Sequence, residues 1–397
     1  MDSLSRRKWI KRSALGLGAL TLSPFDSWAN RVSLSQIENK KFLYPETQPF
    51  NEFTPPFPIT ETPPAILAWN ENPYGFSPKA VEAMQTSIAA GNRYGWMQLN
   101  ELKKKIAKKE GVGADQIMMG PGSTDLLERT AMFFFKEGGE ANVITANPAY
   151  MSVVDVAQAL HADWKAIKLT KDYDHDLKAM EKAIDEHTKL VYIANPNNPT
   201  GTVTNKKDLV DFCKRISKKV PVFVDEAYLE FSKNGLEDSM ISLVKEGGYN
   251  VIVARTFSKI HGMAGLRCGY IVASKDLISK LNSYTIPGFG TSVPTITAVD
   301  ASLYDEEHLE MCRTNIVRDR EITESYLKKK KLNYLPSNTN FIIFEIPMDG
   351  KEMMSKLYEH GVMVRTFKFW DKNWCRVTIG KTAEMKIFYD AMDKIFV

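Results

Sequence analysis

The stretch Val251-Ile-Val-Ala-Arg-Thr-Phe-Ser-Lys259 is a short apolar run that ends on two hydroxyls and an amine, and Arg267 follows in Gly265-Leu-Arg-Cys-Gly269. A lysine just past the end of a buried strand can form an imine with an aldehyde. Thr256, Ser258 and Arg267 are suited to hold an anion beside that amine. The alternative is a surface lysine after an ordinary strand. The residues at the ends of the other strands are needed to choose between these two interpretations.

Four more short apolar runs end in turn residues, which predicts parallel strands that are buried on both faces. The runs 116–119, 142–146, 189–194 and 220–224 lead to Gly120-Pro-Gly-Ser-Thr124, Asn147-Pro-Ala-Tyr150, Asn195-Pro-Asn-Asn-Pro-Thr-Gly201 and Asp225-Glu-Ala-Tyr228. Ligands bind outside the carboxyl ends of the strands in an open α/β sheet. We therefore expect five strand ends to present one polar set to one crevice. An aldehyde that also carries a phosphate, pyridoxal 5'-phosphate (PLP), fits this combination of amine and anion site.

The segment Ser123–Phe135 is typical of a helix with a polar start. Its first N–H groups, at Gly122, Ser123 and Thr124, predict a phosphate site. Asp125 occupies the third-glycine position of a dinucleotide fingerprint, so that interpretation fails.

In this order, the motifs resemble the fold type I PLP-dependent aminotransferases, and most of all their histidinol-phosphate aminotransferase group. The resemblance covers residues 65–397. It rests on Asn70 to Gly75, Asn92-Arg-Tyr94, Pro196-Asn-Asn-Pro-Thr-Gly201, Asp225-Glu-Ala-Tyr228, Ser258-Lys259 and Gly265-Leu-Arg-Cys-Gly269. It implies an α/β fold, with a mainly parallel sheet flanked by helices in a large domain and a smaller α+β C-terminal domain. It also implies a homodimer with shared active sites.

The resemblance assigns a role to each cofactor-binding position. Lys259 would hold the cofactor covalently and move a proton at the substrate's α-carbon, and Asp225 would pair with the pyridine nitrogen. Tyr150 would stack on the ring, while Asn198 and Tyr228 would bond its phenolic oxygen. For either tyrosine alone, a core aromatic residue is the alternative. The full set is Tyr94, Gly122, Ser123, Thr124, Tyr150, Asn198, Asp225, Tyr228, Thr256, Ser258, Lys259 and Arg267. Tyr94 would reach the cofactor phosphate of the neighbouring subunit.

The substrate side is implied in the same way. Arg376 matches a carboxylate-binding arginine. Arg365 matches an anion-binding position that faces the phosphate end of the substrate in histidinol-phosphate enzymes, with a surface strand residue as the alternative. Asn72, Tyr74 and Gly75 match a segment that lines the substrate pocket. The aromatic stretch Thr366–Trp374 departs from the family pattern, which leaves the substrate open.

The predicted activity is therefore transamination between an amino donor, histidinol-phosphate-like or an amino acid, and a 2-oxo acid such as 2-oxoglutarate. A PLP-dependent lyase, decarboxylase or racemase is the alternative, because the cofactor stabilises a carbanion whichever bond breaks. A non-catalytic binding protein on the same scaffold is a third possibility. The presence of Lys259, Asp225 and Arg267 counts against it.

The N-terminal 29 residues predict a twin-arginine export signal. Arg6 and Arg7 lie in Ser5-Arg-Arg-Lys-Trp-Ile-Lys11, an apolar stretch rich in small residues follows, and Ser27-Trp-Ala29 offers a cleavage site. A basic amphipathic arm is the alternative. Because that export route accepts folded proteins, the enzyme would load its cofactor in the cytoplasm and work in the periplasm. The apolar stretch is too short to span a bilayer, and no longer one follows, so no membrane span is expected.

Composition limits the partners and the division into domains. The chain carries +4 overall, and removal of residues 1–29, with five basic and two acidic side chains, leaves +1, which argues against nucleic acid. Four cysteines lie far apart and six histidines show no metal-ligand spacing, so neither a disulfide framework nor a metal is expected. We predict a signal over 1–29, an arm and small-domain segment over 30–79, a large domain over 80–290 and a small domain over 291–397.

Overall fold

The structure is a computed structural model, and it describes residues 51–56, 62–284 and 290–396. Three sheets organise this part of the chain: seven strands in the order β3-β9-β8-β7-β6-β4-β5, five in the order β1-β13-β14-β11-β10, and the pair β12-β2. The strands are β1 (Asn51–Glu52), β2 (Ala65–Ile66), β3 (Ile117–Gly120), β4 (Asn142–Asn147), β5 (Asp163–Lys168), β6 (Thr188–Ala194), β7 (Val222–Asp225), β8 (Val251–Thr256), β9 (Gly269–Val272), β10 (Tyr334–Leu335), β11 (Phe341–Ile346), β12 (Val362–Met363), β13 (Arg365–Phe369) and β14 (Lys372–Thr378).

Helices cover and connect these sheets. They are α1 (Pro78–Ser87), α2 (Trp96–Glu110), α3 (Ser123–Phe135), α4 (Ser152–Ala159), α5 (Leu177–Lys182), α6 (Lys206–Ile216), α7 (Ile241–Glu246), α8 (Lys275–Asn282), α9 (Val293–Ser302), α10 (Glu306–Lys329), α11 (Gly350–Glu359) and α12 (Thr382–Ile395). None of the helices in the described part of the chain is both long and apolar enough to cross a membrane.

The seven-stranded sheet confirms the predicted α/β class and its mainly parallel character. Strands β4 to β8 pair in parallel. Strand β9, which the sequence analysis missed, runs antiparallel between β3 and β8. Because β9 opposes both neighbours, β3 still points the same way as β8. The five predicted strand ends therefore meet at one edge of the sheet, as expected.

The composition of β6 shows why this sheet forms. Residues 190–193 are all fully buried. Successive strand side chains point to opposite faces, so a run of buried residues means that both faces are covered. Helix α6 supplies part of that cover through Leu209, Phe212, Cys213 and Ile216, which lie on one face at helical spacing.

Two strand pairings, in two different sheets, join the start of the described chain to its C-terminal part. Strand β1 pairs with β13, with Glu52 opposite Phe367, and β2 pairs with β12. The stretch 46–64 is rich in proline, which predicts an extended arm without regular structure, and for Asn51–Glu52 that prediction is wrong. The exposed edge of β13 supplies the backbone hydrogen bonds that form β1, and local sequence does not reveal a partner more than 300 residues away.

The aromatic stretch 366–374 forms a hairpin. Trp370 and Asp371 both have positive φ, of 53° and 58°, which suits the two-residue turn between β13 and β14. Phe369 stacks on Trp374 with ring centroids 5.0 Å apart, and Tyr173 stacks on Trp370 at 4.7 Å. The stretch that departs from the family pattern thus packs as an aromatic cluster at the hairpin tip.

Two hydrophobic cores support this arrangement, one for the seven-stranded sheet and one for the C-terminal sheet. In α9, Ile296, Ala298 and Val299 belong to the core of the seven-stranded sheet. The predicted boundary after residue 290 thus precedes a helix that packs on the larger core, and the division into domains stays a prediction. The four cysteines are free and buried.

Candidate active site

A cavity of about 550 Å³ lies at the carboxyl ends of the parallel strands. It brings together twelve of the predicted site residues: Ser123, Thr124, Tyr150, Asn198, Asp225, Tyr228, Thr256, Ser258, Lys259, Arg267, Arg365 and Arg376. Residues from β13 and β14 complete its wall opposite the seven-stranded sheet. The cavity therefore has one wall from each of the two large sheets.

The start of α3 forms an anion cradle with Arg267. Gly122 has φ +94°, and a Cβ added to it would lie 2.4 Å from Nη2 of Arg267. A Cβ on Gly269 would lie 2.7 Å from the backbone N of Ser123. Both glycines are needed because the guanidinium and β9 approach the helix start so closely. The first N–H groups of a helix have no partner within it, so they and Arg267 suit a phosphate.

Lys259 follows β8 and reaches into the cavity. Its Nζ donates to the carbonyl oxygen of Asn70 at 3.1 Å. Burial first, and then the charges of Arg376 and Arg267, lower the pKa of Lys259 to about 8, against the opposing charges of Glu71 and Asp225. A lowered pKa raises the fraction of neutral amine near pH 7, and the neutral amine is the form that attacks an aldehyde.

The loop after Lys259 is held by the segment 72–75. Asn72 Nδ2 donates to the carbonyl oxygen of Ile260 at 2.8 Å, and a Cβ added to Gly262 would lie 2.2 Å from the Gly75 oxygen. Asn72, Tyr74 and Gly75 do not line the cavity. Asn72 and Gly75 lie against the loop that follows Lys259, and Tyr74 packs against the core of the C-terminal sheet.

Asp225 ends β7 and is buried. It accepts hydrogen bonds from Tyr192 Oη at 3.2 Å and from the Ala227 backbone N at 3.1 Å. Burial raises the pKa of Asp225 to about 6, against those two hydrogen bonds and the charge of Lys259. A protonated ring nitrogen placed beside it would favour the carboxylate, because an opposite charge stabilises a buried ion.

Tyrosine and amide side chains line the cavity between the amine and the anion cradle. Tyr150 Oη lies 3.2 Å from Thr124 Oγ1. Asn70 Nδ2 donates to Tyr228 Oη at 3.0 Å. Asn198 accepts from Arg376 Nη1 at 2.6 Å through its Oδ1, which leaves its NH₂ group to donate to a ligand.

The two predicted substrate arginines lie opposite each other in β13 and β14. Arg376 is only 7% exposed, and its Nη2 donates to the Ala68 carbonyl oxygen at 3.0 Å. Arg365 forms an ion pair with Glu52, and both side chains line the cavity. Arg365 is therefore a cavity residue, although part of it reaches solvent.

Tyr94 lies elsewhere. It is 75% exposed and lines a separate cavity of about 240 Å³ together with Arg93, Trp96 and Val293. The structure does not bring it to the anion cradle of its own chain.

Comparison with known proteins agrees with this geometry. Residues 64–392 match the family model described as aminotransferase class I and II. The chain belongs to the class I and II aminotransferase family. It is 36% identical to histidinol-phosphate aminotransferase 2 of Haemophilus influenzae (strain 86-028NP) over 330 residues, which are 83% of this chain and 89% of that relative. It is also 36% identical to the histidinol-phosphate aminotransferase of Moorella thermoacetica over 331 residues, 83% of this chain and 84% of the relative.

A solved aminotransferase supports the fold. The structure of histidinol-phosphate aminotransferase from Sinorhizobium meliloti in complex with pyridoxal-5'-phosphate aligns with a TM-score of 0.77 at 24% identity, covering 85% of this chain and 92% of that one. The chain is a PLP-dependent transaminase, as the sequence analysis predicted.

The residues of this aminotransferase fit PLP. The cradle at Gly122 suits the phosphate, Lys259 supplies the amine for the aldehyde, and Asp225 supplies a buried carboxylate for the ring nitrogen. Tyr150 lines the cavity between them. Among the described residues, no group of three or more His, Cys, Asp or Glu side chains is arranged to hold a metal ion.

Sequence reasoning missed several residues of the aminotransferase site. Tyr192, in β6, donates a hydrogen bond to Asp225. Its sequence context is that of any aromatic residue in a strand. Asn70 lies within a quoted motif, and its φ of 56° together with two hydrogen bonds in the cavity gives it a larger part than that motif indicated. Nothing in the sequence around Glu52 indicates a site residue, because its position depends on the pairing of β1 with β13.

Proposed function

We propose that this aminotransferase moves the amino group of an amino acid to a 2-oxo acid, and that Arg376 binds the α-carboxylate of each. The observation that carries this is the state of Arg376. It lines the cavity, is almost fully buried, and its Nε has no hydrogen-bond partner within the described chain. A rigid guanidinium fork suits a carboxylate, and a buried guanidinium without an ion-pair partner among the described residues favours an anionic ligand.

Each of these side chains around the cavity has a separate role in the reaction. When bound, PLP withdraws electrons from the substrate's α-carbon. Asp225 holds the ring nitrogen in its protonated form. Lys259 takes the proton from the α-carbon, and the carbonyl oxygen of Asn70, 3.1 Å from its Nζ, orients the amine. Arg376 fixes the α-carboxylate, so the amino group and the α-proton are presented to Lys259 in one orientation.

Histidinol phosphate, the compound in the names of the relatives above, is the alternative donor. It carries a phosphate instead of an α-carboxylate, and Arg365 would face that phosphate. An exported enzyme would work away from cytoplasmic histidine synthesis, which favours an amino acid donor.

A screen of amino donors with 2-oxoglutarate, followed by product analysis, tests this proposal. Arg376→Ala should weaken the donor and acceptor half-reactions together, by about 2 to 5 kcal/mol for a desolvated charged pair. Arg215→Ala, which removes an exposed arginine paired with Glu181, is the matched control and should leave both unchanged. Loss confined to one half-reaction would contradict the shared carboxylate site. If the wild type converts histidinol phosphate and no amino acid, the alternative donor would replace the proposal.

We also propose a homodimer in which Tyr94 serves the cofactor phosphate of the partner subunit. Tyr94 is exposed and lies away from the cradle of its own chain, and Ile88 and Met97 expose apolar surface in the same region of sequence. Hybrid dimers of a Tyr94→Ala chain and a Lys259→Ala chain test it. If sites are shared, one site of the hybrid carries both changes and the other is intact, so mixing restores activity. If each Tyr94 serves its own chain, mixing restores nothing.

The export signal lies outside the described residues and stays a proposal. We propose that Arg6 and Arg7 direct the loaded, folded enzyme to the periplasm. Replacing both with lysine should leave folded, PLP-bound protein in the cytoplasm, whereas Arg12→Lys, which lies beyond the pair, should not. Periplasmic arrival of the double variant would contradict this route.

A further inference from the structure

Two arginines of the cavity wall stand directly opposite each other. Arg365 and Arg376 are paired residues in the antiparallel ladder of β13 and β14. Like charges in this position repel each other. The wall therefore needs a counter-charge, which a substrate or the protein itself has to supply.

Glu52 supplies that charge from the N-terminal arm. Its Oε1 accepts from both Nε and Nη2 of Arg365. The described segment next to Glu52 is held in place, because the Phe53 backbone N donates to the Thr366 oxygen at 3.0 Å. The Phe53 ring also packs so closely on Gly350 that an added Cβ there would lie 2.4 Å from Phe53 Cδ2. The carboxylate thus belongs to a docked strand that lines the cavity.

We propose that Glu52 is a specificity-determining residue that occupies, from within the chain, the place where a substrate would put a second anionic group. This inference rests on the proposed function, in which Arg376 holds the α-carboxylate. A substrate with a neutral or cationic distal end leaves the Glu52–Arg365 pair intact. A substrate with a distal anion has to compete with Glu52 for Arg365.

Other negative charges at the cavity also disfavour a second anionic group on the substrate. Glu71, Glu128 and Asp155 also line it. Burial, and then the nearby charge of Glu128, raise the pKa of Asp155, which shows that these two carboxylates repel each other. With Arg365 paired and Arg267 in the phosphate cradle, Arg376 is the arginine left among the lining residues for a substrate anion. The structure thus favours donors with one anionic group.

Charge-changing variants of the holoenzyme test this preference. With glutamate as the donor, Glu52→Gln should lower KM by about two- to fivefold, the range for a partly exposed ion pair. Arg365→Gln should raise it, and the double variant should return to the wild-type value. With ornithine the order should reverse, and with leucine each change in KM should be smaller than with glutamate. Glu345→Gln, which removes a carboxylate paired with Lys372 on the same sheet but outside the cavity, is the control.

Equilibrium binding gives a second readout that does not need turnover. By calorimetry, Glu52→Gln should bind succinate more tightly and butyrate unchanged. If both ligands, or glutamate and leucine, shift equally or not at all, Glu52 is only a structural counter-ion and the inference is overturned. If no amine is converted by any variant, the proposed function fails, while the succinate and butyrate comparison still decides the role of Glu52.

Discussion

The two walls of the cavity are built in different ways. The cofactor wall comes from consecutive strand ends of one sheet, and Asp225, Thr256 and Ser258 on it are buried. The substrate wall comes from β13, β14 and β1, which are distant in sequence, and its Glu52–Arg365 pair leaves 37% and 27% of those side chains exposed. Charge interactions are strong where water is excluded and weak where it is not. Changes to the cofactor wall should therefore cost more than changes to the Glu52–Arg365 pair of the substrate wall.

The largest effect should come from Lys259→Ala. This variant lacks the amine that attaches PLP, so the protein should lose the visible absorption of covalently held cofactor and all transamination. Lys275→Ala removes an exposed lysine paired with Asp115 and should behave as the wild type. An unchanged absorption band in Lys259→Ala would place the attachment at another lysine.

Asp225→Asn should have the next largest effect. The amide keeps the shape and the hydrogen bond from the Ala227 N–H but loses the charge that would hold the ring nitrogen protonated. Loss of a preorganised charge in a buried site slows the chemical step by a hundredfold or more. Single-turnover rates of the donor half-reaction measure it, with Asp300→Asn, an exposed aspartate paired with Lys105, as control. A rate within tenfold of the wild type would mean that Asp225 does not serve the ring.

A smaller effect should appear in the pH dependence of PLP uptake, which depends on residues of both walls. The folded-state pKa of Lys259 is lowered from 10.5 to about 8, so its amine loses its proton as pH rises through 8. Cofactor-free protein should therefore take up PLP faster as pH rises to about 8 and level off above it. Among the nearby charges, that of Arg376 lowers this pKa most, so Arg376→Ala should shift the midpoint of PLP uptake to higher pH. A midpoint that stays in place would mean that the substrate wall does not tune the lysine.

The cofactor wall was predictable from sequence because its parts follow a repeated local rule. Each buried strand ends in polar residues, and parallel strands present those ends at one edge. Ser123, Asp225 and Lys259 could be placed together without knowledge of the order of the strands. Strand β9 escaped notice because it begins at Gly269, the last residue of the Arg267 motif, so no turn separates the strand from the motif.

The substrate wall could be predicted only in part. Arg365 and Arg376 were found because they match a family pattern, but their cross-strand pairing and the ion pair to Glu52 depend on long-range register. Asn72, Tyr74 and Gly75 were assigned to the pocket, yet Asn72 and Gly75 contact the loop that carries Lys259, and Tyr74 packs on the core of the C-terminal sheet. Local sequence gives no information on contacts between segments hundreds of residues apart.

One measurement tests the central assignment most directly. Borohydride reduction of the PLP-loaded protein fixes the cofactor to the lysine that holds it, and peptide mass mapping then identifies that residue. The structure predicts a single modified site, at Lys259, beside the cradle of Gly122 and Arg267. Modification of a different lysine, or of several lysines at similar levels, would contradict the account of the strand-end site.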